Sequence, residues 1–193
     1  DNISVRCEGL DHKITSLAYL MEEDSTVNIG EFPFRPGPWI KDLKEAHAKG
    51  KSDQLIKIED GIEKKASELF SYLYVKDGWK LGYAMDHLAG PKNHERMRSF
   101  FHKANELVIE GFFRECDRDY ALRHHHSTAN ASGKIAREAE VSTLTLVHHS
   151  RRYMKEIDDI VEEGHAAFEG RDPVFKSEPV ARYDKESEGD DSL

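Results

Sequence analysis

HERMRSFFHKANELVIEGFFRECDRDYALRHHHST, residues 94–128, spaces its apolar side chains at close to one helical turn, and its reading decides the fold. Met97, Phe101, Ala104, Val108 and Gly111/Phe112 share one stripe at about 100° per residue. The stripe continues in phase through Glu115, Arg118, Asp119, Leu122 and His125/His126. The spacing therefore predicts one long helix, from about 93 to 127, whose core-facing side turns polar partway along. Burying a charge is costly unless it is paired, so a polar turn on a core stripe marks either a site or the end of the core.

Working outward, a second long helix is expected over about 134–168, with Tyr153/Met154, Ile157, Val161, Gly164 and Phe168 on its stripe. The connection 129–133 is short enough to make the two helices antiparallel neighbours. Upstream, Asp11 can cap a helix to about 23, with Ile14, Leu17, Ala18 and Met21 on one side. The run 25–38 holds three prolines and two glycines and should be irregular. Helices follow over 39–48, from 52 or 53 to about 74, and over about 79–88; residues 1–10 alternate briefly and suit a short strand or extended arm. After Gly170 the chain becomes charged and polar. The expected fold is all-α: a helical bundle built on an antiparallel pair of long helices with shorter covering helices, one domain over 1–170 and a polar tail or linker over 171–193.

Composition narrows the partners. Of 193 residues 34% are charged, mean hydropathy is −0.71, and the net charge of −9 repels RNA and DNA unless a local basic patch overrides it. No apolar run approaches the roughly 18 residues of a membrane span, so no membrane partner is expected. Cys7 and Cys116 lack metal or redox spacing and read as unpaired thiols in a reducing compartment, which implies a soluble, cytoplasmic protein. The chain starts at Asp1 rather than Met, which implies that something upstream was removed.

Eleven histidines suggest a metal, but helix geometry argues against one. His124, His125 and His126 would be splayed by about 100° each and could not converge on one ion. His102, Glu106 and Glu110 form a row opposite Phe101 and Val108, expected to face solvent. His148 points outward in the same reading, and Glu162-x-x-His165 is similar to the ferritin-like di-iron pattern but lacks its second unit. No cofactor and no metal ligand is therefore assigned.

The polar turn survives this sorting. Arg118 can pair with Glu115 or Asp119 in an internal ion-pair network near a bundle end. The functional reading makes Arg118, His124 and His125 catalytic, a guanidinium to hold phosphate and an imidazole to move a proton, with Glu115, Asp119 and His126 binding ligand. Residues 118–125, RDYALRHH, resemble the R-polar-x(4 to 6)-H motif of HEPN ribonucleases. That resemblance implies an all-α, usually dimeric domain that cleaves RNA without metal, with Arg118 as phosphate clamp and His124 or His125 as acid/base. No nucleophile elbow, phosphate loop, dinucleotide fingerprint or zincin motif is present.

Three functions are thus expected, in this order. The first is a helical interaction or structural module that binds a protein partner or a second copy of itself through its long amphipathic helices. The second is a HEPN-like metal-independent ribonuclease, the one reading with RNA as partner. The third is a metal- or cofactor-binding helical bundle drawing on His149, Glu162, His165 and Glu115.

Overall fold

The computed structural model describes residues 2–59 and 61–174. In chain order its strands are β1 (Ile3–His12), β2 (Ile14–Glu23), β3 (Thr26–Ile29), β4 (Leu55–Glu59), β5 (Ile62–Lys65), β6 (Leu73–Lys76), β7 (Lys80–Ala84), β8 (Glu106–Glu110) and β9 (Thr143–Val147). Its helices are α1 (Trp39–Ala48), α2 (Ala66–Leu69), α3 (Pro91–Phe100), α4 (Arg118–Arg123), α5 (Ala129–Glu138) and α6 (Ile157–Glu169). The fold is mixed α/β, and the elements fall into two units.

The smaller unit comprises Asn2 and Glu23–Gly78. It holds two antiparallel pairs, β3 with β6 and β4 with β5. Trp39, Leu43 and Ala46 of α1 meet Ile56 and Ile58 of β4 and Ala66 and Leu69 of α2 in its core. The proline-rich run ahead of α1 is tied down rather than loose: Trp39 Nε1 donates to the Arg35 carbonyl at 3.0 Å, and Phe32 and Phe34 meet the indole edge-on.

The larger unit comprises Ile3–Glu22 and, among the described residues, 79–174. Its five-stranded sheet has the order β1-β2-β7-β8-β9, with β7 antiparallel to β2 and β7, β8 and β9 mutually parallel. Register aligns Leu20, Gly82, Leu107 and Leu144 in one row across four strands. Gly82 is required there, since a Cβ would lie 2.6 Å from Phe101 Cδ1 and 2.9 Å from Leu107 Cδ1. Leu10, Ala18, Leu20, Ala84, Leu107, Ile109, Leu144 and Leu146 are buried in a core that also takes Met97 of α3, Ile135 and Ala136 of α5 and Ile160 of α6. The alternate residues Val5, Leu17, Tyr19 and Tyr83 are exposed.

The all-α bundle and the helical hairpin expected over 93–168 are corrected by this sheet. Residues 94–128 divide into α3, β8 and α4, and the chain leaves α3 through Lys103 at φ 56. Leu107 and Ile109 are buried while Glu106 and Val108 are half-buried, a period of two. An apolar run as short as Leu107-Val108-Ile109 fits both periods, so the helical stripe through Ala104 and Val108 is a coincidence of spacing. The same ambiguity runs through the second long segment, where Thr143-Leu-Thr-Leu-Val is strand β9 between α5 and α6. The helix expected over 11–23 is the end of β1, a turn at Lys13 and strand β2, and the helix expected to end near 74 is replaced by β4, β5, α2 and β6. The helix expected over 79–88 is β7 and the turn beyond it. From residue 175 onward the polar tail lies outside the described residues. Among the described residues, no helix is long and apolar enough to cross a membrane.

Candidate metal centre

Parallel strands deliver their last residues to one edge, and three consecutive strands here end in chemistry. Asp86 follows β7 by two residues, Glu110 is the last residue of β8, and His148 directly follows β9. The register, Ala84 with Ile109 and Glu110 with Val147, sets those ends side by side. The carboxyl edge of parallel strands is where ligands bind in open α/β sheets. His126, from the segment joining α4 to α5, completes a group whose donor atoms, one from each residue, all lie within 4.8 Å of one another.

Glu110 anchors the group. Its side chain is fully buried, and Oε1 accepts the backbone N–H of His87 and of Ser127, each at 3.0 Å. Its Oε2 accepts from Nδ1 of His126 at 2.8 Å and of His148 at 3.3 Å. Burial acts to raise the pKa of this carboxyl, but the imidazoles of His87, His126 and His148 outweigh burial and hold it well below the usual carboxylate range. At His87 the balance is opposite. That ring is fully buried, its Nδ1 stands 3.3 Å from Glu110 Oε1 without hydrogen-bond geometry, and burial lowers its pKa against the pull of Glu110. At His148 the bond to Glu110 comes first and, with the charges of Glu110 and Asp86, raises its pKa against partial burial.

Asp86 Oδ1 stands 3.5 Å from Nδ1 of His148, and these two side chains are the open ones, 49% and 40% exposed. His12, the last residue of β1, joins from the side: its Nδ1 donates to the carbonyl of His125 at 2.7 Å and its ring meets His126 edge-on at 4.7 Å. The backbone is unusual at the same place. Asp86 (φ 49), His125 (φ 61) and His148 (φ 56) all adopt left-handed conformations, which non-glycine residues seldom take and which gather at functional sites.

The donor set fits a divalent ion. Two imidazoles and two carboxylates form the mixed nitrogen and oxygen environment that suits zinc or manganese. Glu110, with both oxygens occupied by hydrogen bonds, has the place of the carboxylate that orients histidine ligands from behind. Asp86 and His148 are the more exposed members, and with Nδ1 of His148 on Glu110 its Nε2 is the nitrogen left for a metal. His12, with Nδ1–H on a carbonyl, is in the tautomer that leaves Nε2 for a metal.

Of the residues singled out from sequence, His126 lies in this group. His125 contributes its carbonyl to His12. His124 stacks on Tyr120 with ring centroids 4.1 Å apart. Arg118 is paired with Glu115 at 2.5 Å, and Glu115 also accepts from Thr128 Oγ1 at 2.6 Å. The carbonyl of Asp119 accepts from Arg123 Nε at 3.4 Å. Glu162 is paired with Arg171 at 2.6 Å. Glu110, assigned to a solvent row, is fully buried, and Asp86 and His148 were passed over. The available signal was a titratable residue closing an apolar run, as in Leu-Val-Ile-Glu110 and Leu-Thr-Leu-Val-His148.

No protein-family model matches the chain. Curated relatives do. One from Deinococcus radiodurans is 28% identical over 158 residues, covering 79% of this chain and 46% of its own length. One from Thermobifida fusca is 29% identical over 175 residues, 88% of this chain and 51% of the relative. A third, from Archaeoglobus fulgidus, reaches 39% identity over 66 residues, 34% of this chain and 22% of the relative. All three are ribonucleases Z. The chain spans about half the length of the first two. Among solved structures, a metallo-beta-lactamase fold protein, YhfI from Bacillus subtilis, is similar with a TM-score of 0.48 at 14% identity, covering 88% of this chain and 45% of that one. The short form of human tRNase Z has a TM-score of 0.44 at 18% identity, covering 78% and 38%.

These findings correct the expected functions. The chain resembles ribonucleases Z rather than a helical interaction module, and its sheet leaves no bundle for a metal or cofactor to occupy. The HEPN-like reading falls as well, because residues 118–125 form the six-residue α4 and the turn after it, not part of a long bundle helix.

Proposed function

We propose that this chain carries a divalent-metal centre for phosphodiester hydrolysis in RNA, with Asp86 and His148 as metal ligands and His126 as the proton carrier. The observation that carries it is the convergence of Asp86, Glu110 and His148, at three parallel strand ends, with His126, in a chain whose relatives are named ribonuclease Z. A bound divalent ion would polarise the phosphate and acidify a coordinated water. Glu110 holds Nδ1 of His126, which leaves Nε2 as the nitrogen that hands a proton to the departing oxygen. Buried Glu110 never meets the substrate; it fixes the tautomer and aim of both imidazoles, as a carboxylate does behind a catalytic histidine.

RNA is thus the proposed partner, and association of two copies is a further proposal, to be tested by sedimentation. The central test is titration with Mn²⁺ or Zn²⁺ by calorimetry, beside cleavage of a precursor transfer RNA with and without EDTA. The wild-type chain should bind the ion, and His148→Ala should weaken binding at least about tenfold. Cleavage should stop in EDTA and return with added metal. A chain that binds neither ion, or His148→Ala with wild-type affinity, overturns the proposal.

A further inference from the structure

The segment after β8 is gripped on both sides. Gly111 N–H donates to the Val147 carbonyl at 2.9 Å, and the Phe112 carbonyl accepts from Ser150 N–H at 3.0 Å. Phe113 N–H donates to the Ser127 carbonyl at 3.1 Å and its own carbonyl accepts from Ala129 N–H at 2.8 Å. His149 Nδ1 adds a bond to the Gly111 carbonyl at 2.9 Å. These bonds fix the backbone around Phe112 from both neighbours and so place its ring as a plate. Upon it lies His126, centroids 3.9 Å apart and planes 6° from parallel. The same ring meets His148 at 4.8 Å and 66°, and the two imidazoles stand 5.6 Å apart.

Geometry gives the plate a task. The Glu110 bond fixes the direction of Nδ1 of His126 but permits the ring to turn about that bond, which would swing Nε2 away from the site. A flat face packed against the imidazole removes that rotation. We infer that Phe112 is a positioning residue, setting the plane of His126 and its spacing from His148, so that the proton carrier and the metal ligand keep one relative orientation. The inference rests on the reading of His126 and His148 given above for its consequence in catalysis, but the plate itself is testable without it. A misplacement of about 1 Å at a reacting group costs about 100-fold in rate, so a loose imidazole should show in kcat rather than in substrate binding.

The experiment compares wild type, Phe112→Leu and Phe112→Tyr, each checked for a native circular dichroism spectrum. Proton NMR of the histidine rings reads the plate directly. In wild type the His126 ring protons, assigned with His126→Gln, should be shifted upfield by the aromatic face; Phe112→Leu should abolish that shift and Phe112→Tyr retain it. Cleavage of precursor transfer RNA should lose about tenfold or more in kcat with KM unchanged in Phe112→Leu and recover in Phe112→Tyr, while Mn²⁺ affinity changes less than about threefold. If His126 shows no upfield shift, or keeps it in Phe112→Leu, the plate is refuted. A shift lost without any fall in kcat refutes the positioning role. If wild type cleaves no RNA, the functional reading fails alone and the NMR result decides the plate.

Discussion

Replacing Glu110 in two ways separates its structural work from its work on the imidazoles. In Glu110→Ala the amides of His87 and Ser127 lose their acceptor in a fully buried position. Each orphaned buried N–H costs about 1–3 kcal/mol, so the pair alone amounts to about 2–6 kcal/mol before any loss of packing. Against a total stability of about 5–15 kcal/mol for an ordinary domain, that approaches unfolding. Glu110→Gln keeps a carbonyl oxygen for both amides. It forfeits the charge-assisted bonds to His126 and His148 at 2.8 and 3.3 Å, but it also removes a buried negative charge, so its net cost should be only about 1–2 kcal/mol. The amide instead presents N–H toward the imidazoles. To accept it, Nδ1 must lose its proton, which moves the proton to the Nε2 that would otherwise ligate a metal or carry the proton.

Urea unfolding at pH 7.5 in EDTA measures the first effect and metal titration the second. Glu110→Ala should unfold at least about 2 kcal/mol more easily than Glu110→Gln, while Glu110→Gln, though folded, should lose at least about tenfold in Mn²⁺ affinity. Equal stability of the two variants would show that the carboxylate does not hold the two amides. Wild-type metal affinity in Glu110→Gln would show that it does not orient the histidines.

Three other outcomes follow from the same structure. A Cβ at Gly133 would collide with the backbone carbonyl of Gly164 where α5 packs on α6, whereas one at Gly164 would chiefly meet the movable Cδ1 of Leu146. Gly133→Ala should therefore cost about 1–3 kcal/mol in denaturant unfolding, and Gly164→Ala less. Arg114, 6% exposed, faces Glu156 at 2.8 Å, Asp159 at 3.9 Å and the buried Glu163 at 4.0 Å, so Arg114→Met should cost about 3–5 kcal/mol, while the Arg114→Met/Glu163→Gln pair recovers part of it. Glu22 is opposed by partial burial, but Arg6 and Lys80 win and lower its pKa. Its stabilisation is present above the unfolded carboxylate pKa of about 4.3 and is lost as pH falls through the lower folded value. Glu22→Gln should thus be less stable than wild type at pH 7 by at most about 1 kcal/mol and equal to it near pH 2 in thermal melts.

Parts of this architecture are legible in the chain itself. Trp39–Ala48 reads as a helix because its apolar residues and Gly50 agree with each other, and α1 occupies those residues. The sheet is harder to see, because its strands are only four or five residues long from β3 onward and carry apolar residues that fit either period. Leu107 and Ile109 are buried two apart, yet Ala104 and Val108 lie four apart, and nothing local chooses between these patterns. What chose was the pairing of β8 between β7 and β9, a contact over tens of residues. The bond from Lys80 N–H to Asn105 Oδ1 at 2.8 Å, just before β8, is equally remote in sequence.

The site was hidden by the same cause. In the sequence His126 stands out as part of the polar stripe with Glu115, Arg118 and Asp119, although what distinguishes it is the carboxylate sixteen residues earlier that holds its Nδ1. On a helix Glu110 and His126 would be four and a half turns apart. On a strand, Glu110 ends β8 and the chain returns through α4 to set His126 beside it. A helix over residues 106–110 would turn Glu110 to solvent and separate Asp86 from His148, leaving Arg118, which is paired with Glu115, as the most visible charge. Once three strands run parallel, the residues that close them must meet, and a buried carboxylate with two imidazoles on one oxygen has a chemical consequence that no single helix in this chain could supply.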